Sequence, residues 1–148
     1  MTIEYLDELI YETCLMQKKI RLNELENILN ISSDVIQGRL NILIPKYGLS
    51  FQNNQLLTKE FIQMIMLDIS DTLKIKKICN LTEISFKFEV DLEFLISFFN
   101  NPDFNKFIDE EFKYDRRTNY IYSLKYVNTM NRRLMGILNG STVPKTKD

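Results

Sequence analysis

Two stretches of this chain share one pattern, in which two short runs of alternating apolar residues surround a polar turn and a helical apolar pattern follows. The first stretch, residues 49–66, turns at Asn53-Asn54, and the second, residues 112–130, turns at residues 115–119. Alternation predicts strands, and a polar turn between two such runs predicts a β-hairpin. A hairpin that leads into a helix therefore occurs twice, which is typical of an array of like modules.

The helices that follow the hairpins begin alike, and we call them lead helices. Each starts after a hydroxyl residue that can cap the first turn, Thr58 or Ser123, and a third copy of this start opens the chain at Thr2. The aligned apolar positions are Tyr5, Leu6 and Leu9, then Phe61, Ile62 and Ile65, then Tyr126, Val127 and Met130. Three lead helices are therefore predicted.

The residues between the first lead helix and the first hairpin predict two further helices. After the lead helix, at about residues 2–16, residues 19–22 form a short alternating run that predicts a strand. Asn23 is the predicted N-cap of a short helix, with Glu26 in a capping box, and residues 32–33 cap another helix. This order of helix, strand, helix, helix and hairpin is the order of a winged helix.

The second module repeats this order. A strand is predicted near residues 78–81, Thr82 and Asp91 cap two helices, and a hairpin follows at residues 111–122. We therefore expect a mainly α-helical fold with short antiparallel β-hairpins, organised as tandem winged-helix repeats. The predicted units are a first winged helix at 1–58, a second at 59–122, the lead helix of a third, incomplete module at 123–139, and a flexible tail at 140–148.

The composition is that of a packed, mainly helical protein. A chain of 148 residues with 45% apolar residues can bury two small cores of about 60 residues each. The sequence shows neither a charged-then-apolar leader nor an apolar run of about 18 residues, so we expect a cytoplasmic protein without direct membrane insertion. Cys14 and Cys79 lie far apart in apolar surroundings, which favours buried thiols over a disulfide.

The absence of several residue types argues against catalysis. The chain has no histidine, which is the commonest general base near neutral pH. Two cysteines cannot supply the roughly four ligands of a structural zinc site, and no glycine-rich phosphate loop occurs, so we predict no metal and no cofactor. The neighbouring acids Asp7-Glu8 and residues 109–111 are predicted to be solvated. We therefore predict no catalytic residue in this chain.

The predicted third helix of each module carries few bases. In a DNA-binding winged helix this element enters the major groove, and Lys and Arg contacts to phosphate supply most of the non-specific affinity. The candidate contacts are Asp34, Gln37, Arg39 and Asn41 in the first module, which sum to zero charge, and Asp91 and Glu93 in the second. Nucleic acid is therefore an unfavoured partner.

Charge is unevenly distributed along the second half of the chain. Residues 112–133 hold six bases and one acid, whereas residues 89–111 hold seven acids and one base. Such runs are usually solvated faces, but they can also form docking surfaces. In the second interpretation Arg116 and Arg117 lie at the tip of the second hairpin and contact a partner. RNA contact there also stays open.

Eight phenylalanines lie between residues 86 and 112. This spacing predicts that most of them pack in the core of the second module and at its junction with the helix after it. Any phenylalanine that is exposed would mark an interface.

Three stretches of the chain carry motifs of one known family. Residues 20–44 combine a strand, a short helix and a helix with Val35, Ile36, Arg39 and Leu40, and residues 81–95 repeat part of this pattern. The third stretch contains Tyr114, Asp115, Arg116, Ile121, Tyr122, Ser123, Tyr126, Val127, Arg132, Gly136, Ile137, Leu138, Thr142 and Pro144. Together they resemble the first winged helix, the second winged helix and the second wing with its following helix in the E3 ligase for the ubiquitin-fold modifier, the ufmylation ligase. The resemblance spans nearly the whole chain.

The resemblance implies a scaffold that brings a charged E2 conjugating enzyme to a lysine of a protein substrate without forming a thioester itself. It also implies a DDRGK-type membrane adaptor as a partner, and a position at the cytosolic face of the endoplasmic reticulum. In that family an N-terminal helix contacts the E2, and a half winged helix pairs with the adaptor. This chain is expected to begin after both elements.

The first lead helix is the candidate adaptor contact. Its residues Tyr5, Leu6 and Leu9 are expected to form an open apolar face against the missing half module. Replacement of Tyr5 and Leu6 by Asp is then expected to weaken adaptor binding. Two other functions stay open from the residues: a nucleic-acid-binding tandem winged helix, and an architectural winged-helix subunit of another complex.

Overall fold

The computed structural model describes residues 2–138 and shows a mainly α-helical fold with two small antiparallel sheets. The first module contains α1 (Ile3–Gln17), β1 (Lys19–Arg21), α2 (Leu22–Leu29), α3 (Ser33–Tyr47), β2 (Ser50–Gln52) and β3 (Gln55–Leu57). The second contains α4 (Lys59–Lys76), β4 (Ile78–Asn80), α5 (Leu81–Phe88), α6 (Leu92–Ser97), a 3₁₀ turn (Phe98–Asn100), α7 (Pro102–Asn105), β5 (Phe112–Asp115) and β6 (Tyr120–Ser123), and α8 (Leu124–Leu138) follows. The predicted fold of helices and short hairpins is confirmed.

The two sheets have the same strand order, β1-β3-β2 and β4-β6-β5, with antiparallel neighbours throughout. Matching backbone hydrogen bonds show which positions are equivalent. The Leu22 N–H donates to the Asn54 carbonyl, and the Leu81 N–H donates to the Asn119 carbonyl, both at 2.9 Å. The repeat that is visible in the sequence is therefore also a repeat of structure.

The predicted turn and several predicted caps are confirmed. Asn53 and Asn54 have φ angles of 51° and 55°, which is the left-handed conformation that a two-residue hairpin turn requires. The hydroxyls of Thr2 and Thr58 cap α1 and α4 by accepting the N–H of the third residue along the chain. Ser32 likewise caps α3. Local sequence therefore sets these boundaries.

The start of α2 differs from the predicted one. The helix begins at Leu22, which was predicted to be the last residue of the strand before it. Its capping carboxylate is Glu24, which accepts the Arg21 N–H at 3.3 Å. Asn23 and Glu26 therefore do not form the predicted capping box, and Glu26 instead accepts the Ser33 N–H at 3.1 Å. The last residue of the strand, Arg21, is the N-cap of the helix, and arginine is not one of the residue types that usually mark a helix start in a sequence.

Boundaries in the second module also differ from the predictions. Asn80, rather than Thr82, caps α5. The hydroxyl of Ser123, the predicted cap of α8, is buried and has no hydrogen-bond partner within residues 2–138. The predicted third helix ends at Ser97, before Phe99, because the chain forms a 3₁₀ turn and then a short helix whose proline start interrupts the helical pattern.

Each sheet and its helices enclose a hydrophobic core. The first core contains Leu6, Ile10, Cys14, Ile20, Leu22, Leu25, Ile36, Leu40, Leu43, Leu49 and Leu56. The second contains Leu57, Phe61, Ile62, Ile65, Met66, Ile69, Leu73, Cys79, Leu81, Ile84, Val90, Leu95, Phe98, Ile108 and Ile121. Leu57 belongs to the first sheet but packs in the second core, so this strand joins the two modules. The predicted domain boundaries stay predictions, and the predicted tail at 140–148 lies outside the described residues.

Candidate partner-binding surfaces

Helix α1 places the three predicted adaptor-contact residues in different surroundings. Tyr5 is 52% exposed, Leu9 is half-buried, and Leu6 is buried in the first core. Met16 lies on the same side of the helix as Tyr5 and Leu9 and is 83% exposed. We call Tyr5, Leu9 and Met16 the α1 stripe. Because Leu6 packs inside the module, Leu6→Asp would unfold it rather than test a contact, and adaptor binding by this helix stays a prediction.

Arg116 and Arg117 are exposed at the tip of the hairpin that joins β5 and β6. The Arg117 N–H donates to Asp115 Oδ1 at 2.9 Å, and the Arg117 Nε lies 3.9 Å from the same oxygen. The backbone hydrogen bond lowers the pKa of Asp115, so this carboxylate stays charged at the tip. Lys113 and Lys125 are also exposed, which makes the hairpin and the start of α8 a basic surface. Partner contact at this tip stays a prediction.

A polar contact between the first sheet and the α5–α6 turn was not predicted from the sequence, and we call it the module junction. Gln55 Nε2 donates to the Glu89 carbonyl at 2.9 Å, and Gln52 Oε1 accepts the Asp91 N–H at 2.9 Å. Asn53 Nδ2 donates to the Asp91 carboxylate at 2.8 Å. The two glutamines are 3% and 8% exposed, so water competes little for these bonds. The junction therefore restricts how the two modules can move relative to each other.

Charges of opposite sign add to the module junction. Lys19 Nζ donates to the Phe88 carbonyl at 3.0 Å and lies 3.6 Å from the Glu89 carboxylate, while Arg21 Nη2 lies 3.5 Å from that carboxylate. The Glu89 side chain is 61% exposed, so these ion pairs contribute little to stability. Their main effect is to place opposite charges on the two modules where they meet. In the junction, Asp91 at the start of α6 is bound by Asn53 and Gln52. This N-terminal end of the helix is the part that a DNA-binding module would present to bases.

Asp7 is buried rather than solvated, so the sequence prediction for this residue is wrong. Arg39 Nε and Nη2 donate to Asp7 Oδ1 and Oδ2 at 3.0 Å and 2.7 Å, in a bidentate pair. The guanidinium holds the pKa of Asp7 below its ordinary value, which is the opposite of what a proton-donating catalytic acid needs. Arg39, a candidate nucleic-acid contact in the sequence, is instead bound to α1. Only the fold brings these two residues together.

Both cysteines are buried free thiols, as predicted. Burial raises the pKa of Cys14 and of Cys79 to about 12. The thiolate is the nucleophilic form of cysteine, and at neutral pH these two side chains are protonated and shielded from solvent. Neither thiol is therefore suited to form a thioester.

The comparison with protein-family models matches residues 1–147 to E3 UFM1-protein ligase 1. The chain belongs to the E3 UFM1-protein ligase 1 family. The resemblance noted in the sequence is thereby confirmed. No curated protein sequence matches the chain. Membership in this ligase family supports a role as an E3 in ufmylation, alongside components of that pathway such as an E2.

Within residues 2–138 of this ligase-family chain, large apolar side chains are exposed on helices α1 to α5 and on α8. Of the eight phenylalanines between residues 86 and 112, seven pack in or against the second core, as predicted, while Phe86 on α5 is 79% exposed. Helix α8 exposes Tyr126, Met130, Leu134, Met135 and Ile137. Within residues 2–138, no helix is both long and apolar enough to cross a bilayer.

Proposed function

We propose that this chain is a non-catalytic scaffold part of an E3 ligase for the ubiquitin-fold modifier. The observation that carries the proposal is the burial of both thiols in a chain of this ligase family. With a pKa of about 12, neither cysteine presents a thiolate to the charged E2 at neutral pH. The modifier then passes from the E2 directly to a lysine of the substrate, and the scaffold holds the two together.

The module junction suits a scaffold because it fixes the spacing between docking surfaces. Binding partners that are held in a defined geometry react as if at high local concentration. Two buried glutamines of the first sheet hydrogen-bond to the α5–α6 turn, and Leu57 packs across the same boundary. A surface on the first module is thereby held at a fixed distance from a surface on the second.

Two surfaces are the proposed sites for the E2 and the adaptor. The α1 stripe offers exposed apolar contacts and is assigned to a DDRGK-type membrane adaptor, while the basic hairpin tip at Arg116 and Arg117 is assigned to an acidic surface of the E2 or the substrate. The adaptor would bring a cytoplasmic chain to the cytosolic face of the endoplasmic reticulum.

A single-turnover reaction tests the scaffold mechanism. The full chain, with the adaptor, is added to E2 charged with the modifier, and release of the modifier to a lysine acceptor is followed. A Cys14→Ala/Cys79→Val variant that retains the wild-type circular dichroism spectrum is expected to stimulate release as well as the wild type. Loss of stimulation by this folded variant, or a modifier thioester on the wild-type chain in a non-reducing gel, would overturn the proposal.

A matched pair of variants tests the adaptor site. Tyr5→Asp/Met16→Asp places two charges on the α1 stripe and is expected to abolish adaptor capture. Ile3→Asp is the control, because Ile3 is 59% exposed on another side of the same helix. Equal capture by both variants would remove the α1 stripe from the proposal.

Nucleic acid is the second candidate partner, and the basic hairpin tip is the observation that favours it. Phosphate binding by Arg116, Arg117 and neighbouring bases would weaken steeply with salt. A gel shift that disappears in Arg116→Ala/Arg117→Ala and falls with rising salt would support this function. If no shift is seen at low salt, nucleic acid is removed as a partner and only protein partners remain. These would belong either to this ligase or to another complex, and in the second case the chain would be an architectural subunit of that complex.

A further inference from the structure

The first module carries a polar cleft that is separate from the α1 stripe and from the basic hairpin tip. It has a volume of about 360 Å³ and lies between the β2–β3 turn and the N-terminal halves of α2 and α3. Its lining is almost entirely polar and includes four carboxamide side chains, those of Asn23, Gln37, Asn53 and Asn54. This volume is at the lower end of the range for ligand pockets, so the cleft suits a short segment rather than a large cofactor.

The fold itself does not require these polar residues. Leu22 and Leu81 occupy the same place in the two modules, as their backbone hydrogen bonds show. Counting from them, the places of Glu26, Ser33 and Gln37 are taken in the second module by Ser85, Leu92 and Ile96. Leu92 and Ile96 pack against the second core. The polar lining is therefore a property of the first module and not of the repeat.

Internal hydrogen bonds orient two of the four carboxamides. Asn23 Oδ1 accepts the Glu24 N–H at 3.0 Å, which leaves Asn23 Nδ2 as a donor. Asn53 Nδ2 donates to the Asp91 carboxylate at 2.8 Å, which leaves Asn53 Oδ1 as an acceptor. The cleft thus combines a donor from α2 with an acceptor from the hairpin turn. A peptide group needs one of each, because its carbonyl accepts and its N–H donates.

The charged residues of the lining do not favour a charged ligand. Arg21 and Glu26 have opposite charges, and both already have partners in the chain. Arg21 Nη2 lies 3.5 Å from the Glu89 carboxylate, and Glu26 accepts the Ser33 N–H at 3.1 Å. Among the described residues, the cleft lining also contains no aromatic ring on which a nucleic-acid base could stack. An uncharged polypeptide is therefore the ligand that matches the lining.

We propose that this cleft binds an extended, uncharged segment of a partner protein through its main chain. Asn23 donates to a peptide carbonyl and Asn53 accepts a peptide N–H, while Gln37 and Asn54 add two further carboxamides. The cleft shares Asn53 with the module junction, so Asp91 positions a binding group although it does not line the cleft itself. The cleft is a third docking surface, in addition to the two assigned to the adaptor and to the E2 or the substrate.

A nuclear magnetic resonance titration of the full chain tests the proposal. The probe is the blocked peptide acetyl-Gly-Ser-Gly-Ser-N-methylamide, which has main-chain groups but no charge. A ligand this small is expected to bind with a Kd on the order of 10 mM and to shift the side-chain NH₂ signals of Asn23 and Gln37. Gln37→Ile should weaken binding about tenfold. Asn41→Ile is the matched control, because Asn41 is also exposed on α3 but does not line the cleft, and it should bind as the wild type does.

A second pair of variants tests the positioning role of Asp91. Asp91→Ala releases the Asn53 amide and should weaken probe binding about threefold while the circular dichroism spectrum stays that of the wild type. The Asp91 side chain makes no capping hydrogen bond in α6, so the helix does not depend on it for that bond. Glu93→Ala removes the next acid on α6 and should leave probe binding unchanged.

The outcomes separate the candidate ligands. The proposal is overturned if the carboxamide signals do not shift with the probe at about 100 mM, or if Gln37→Ile and Asn41→Ile bind it equally. Shifts with maltose but not with the probe would assign the cleft to a carbohydrate, and shifts with acetate alone would assign it to an anion at Arg21. Either result overturns the proposal. Neither the modifier nor the E2 is present in these titrations, so their result is separate from that of the scaffold proposal.

Discussion

The two lead helices α4 and α8 follow the same kind of hairpin and carry apolar residues in the same register, yet these residues are packed in a core on α4 and are largely exposed on α8. Ile69 of α4 is 0% exposed, and Leu134, at the equivalent position of α8, is 53% exposed. The pattern of apolar residues specifies which side of a helix needs to be covered. Whether it is covered depends on elements that lie elsewhere in the chain or in another protein.

The modules also differ in how their helices are held together. In the first module, Asp7 of α1 binds Arg39 of α3 through two charge-assisted hydrogen bonds. At the corresponding places in the second module, counted from the N-caps, are Gln63 and the buried Phe98. Phe98 packs edge-on against Phe94 and Phe104 rather than forming an ion pair. The position that forms an ion pair in the first module is thus filled by aromatic packing in the second.

The largest expected effect is a difference in stability loss between variants of α4, whose apolar face is packed, and of α8, whose apolar face is exposed. Ile69→Ala removes a fully buried side chain and should lower the free energy of unfolding by about 2–5 kcal/mol. Leu134→Ala changes an exposed position and should cost less than about 0.5 kcal/mol. Urea denaturation of both variants measures the difference. Similar losses for the two would mean that α8 is packed in solution, and the comparison would fail.

The next effect concerns the buried ion pair of the first module. Asp7→Asn leaves Arg39 without its carboxylate and should cost about 2–3 kcal/mol at neutral pH. The pKa of Asp7 is lowered in the folded chain, so its contribution is present above the ordinary value of 3.8 and is lost as the pH falls through the lower folded value. Urea denaturation between neutral and acidic pH should therefore show a smaller acid-induced loss in Asp7→Asn. Parallel pH profiles would contradict the assigned role of the pair.

A smaller effect is expected at the module junction. Gln55→Ala removes the buried side chain that donates to the Glu89 carbonyl and should cost about 1–2 kcal/mol. Gln37→Ala is the control, since Gln37 is exposed on α3. Hydrogen exchange of α5 and α6 amides, together with urea denaturation, measures the loss. If Gln55→Ala has the wild-type free energy of unfolding and the wild-type exchange rates, then the packing of Leu57 and its neighbours is enough to join the modules without these hydrogen bonds.

The smallest effect is expected for the exposed charges of the junction. Glu89→Gln removes the partner of Lys19 and Arg21, and at 61% exposure of the glutamate side chain the loss should stay below about 0.5 kcal/mol. The loss should shrink further at high salt, because exposed charges are screened. Thermal unfolding at low and high salt measures it. A loss as large as that of Gln55→Ala would mean that charge, rather than buried hydrogen bonding, dominates the junction.

Sequence reasoning located most helices and both hairpins because these depend on residues close together in the chain. The positive φ angles of Asn53 and Asn54 and the hydroxyl caps at Thr2 and Thr58 are local effects of this kind. The start of α2 was misplaced because its N-cap, Arg21, is not a residue type that usually marks a helix start. The start of α5 was misplaced because its N-cap, Asn80, is also the last residue of a strand. Of the predicted contact residues, Tyr5, Arg116 and Arg117 are exposed and Leu6 is not.

The order of elements, the lack of histidine and the charge runs follow from the amino-acid sequence alone, because composition and periodicity need no knowledge of neighbours. Tertiary structure decided that Asp7 meets Arg39, that Gln52 and Gln55 hold the α5–α6 turn, and that both thiols are shielded. These contacts join residues more than 30 positions apart, or depend on burial by several elements at once. Burial changes the energy of a charge, an amide or a thiol, and burial is a property of the folded chain rather than of any one segment.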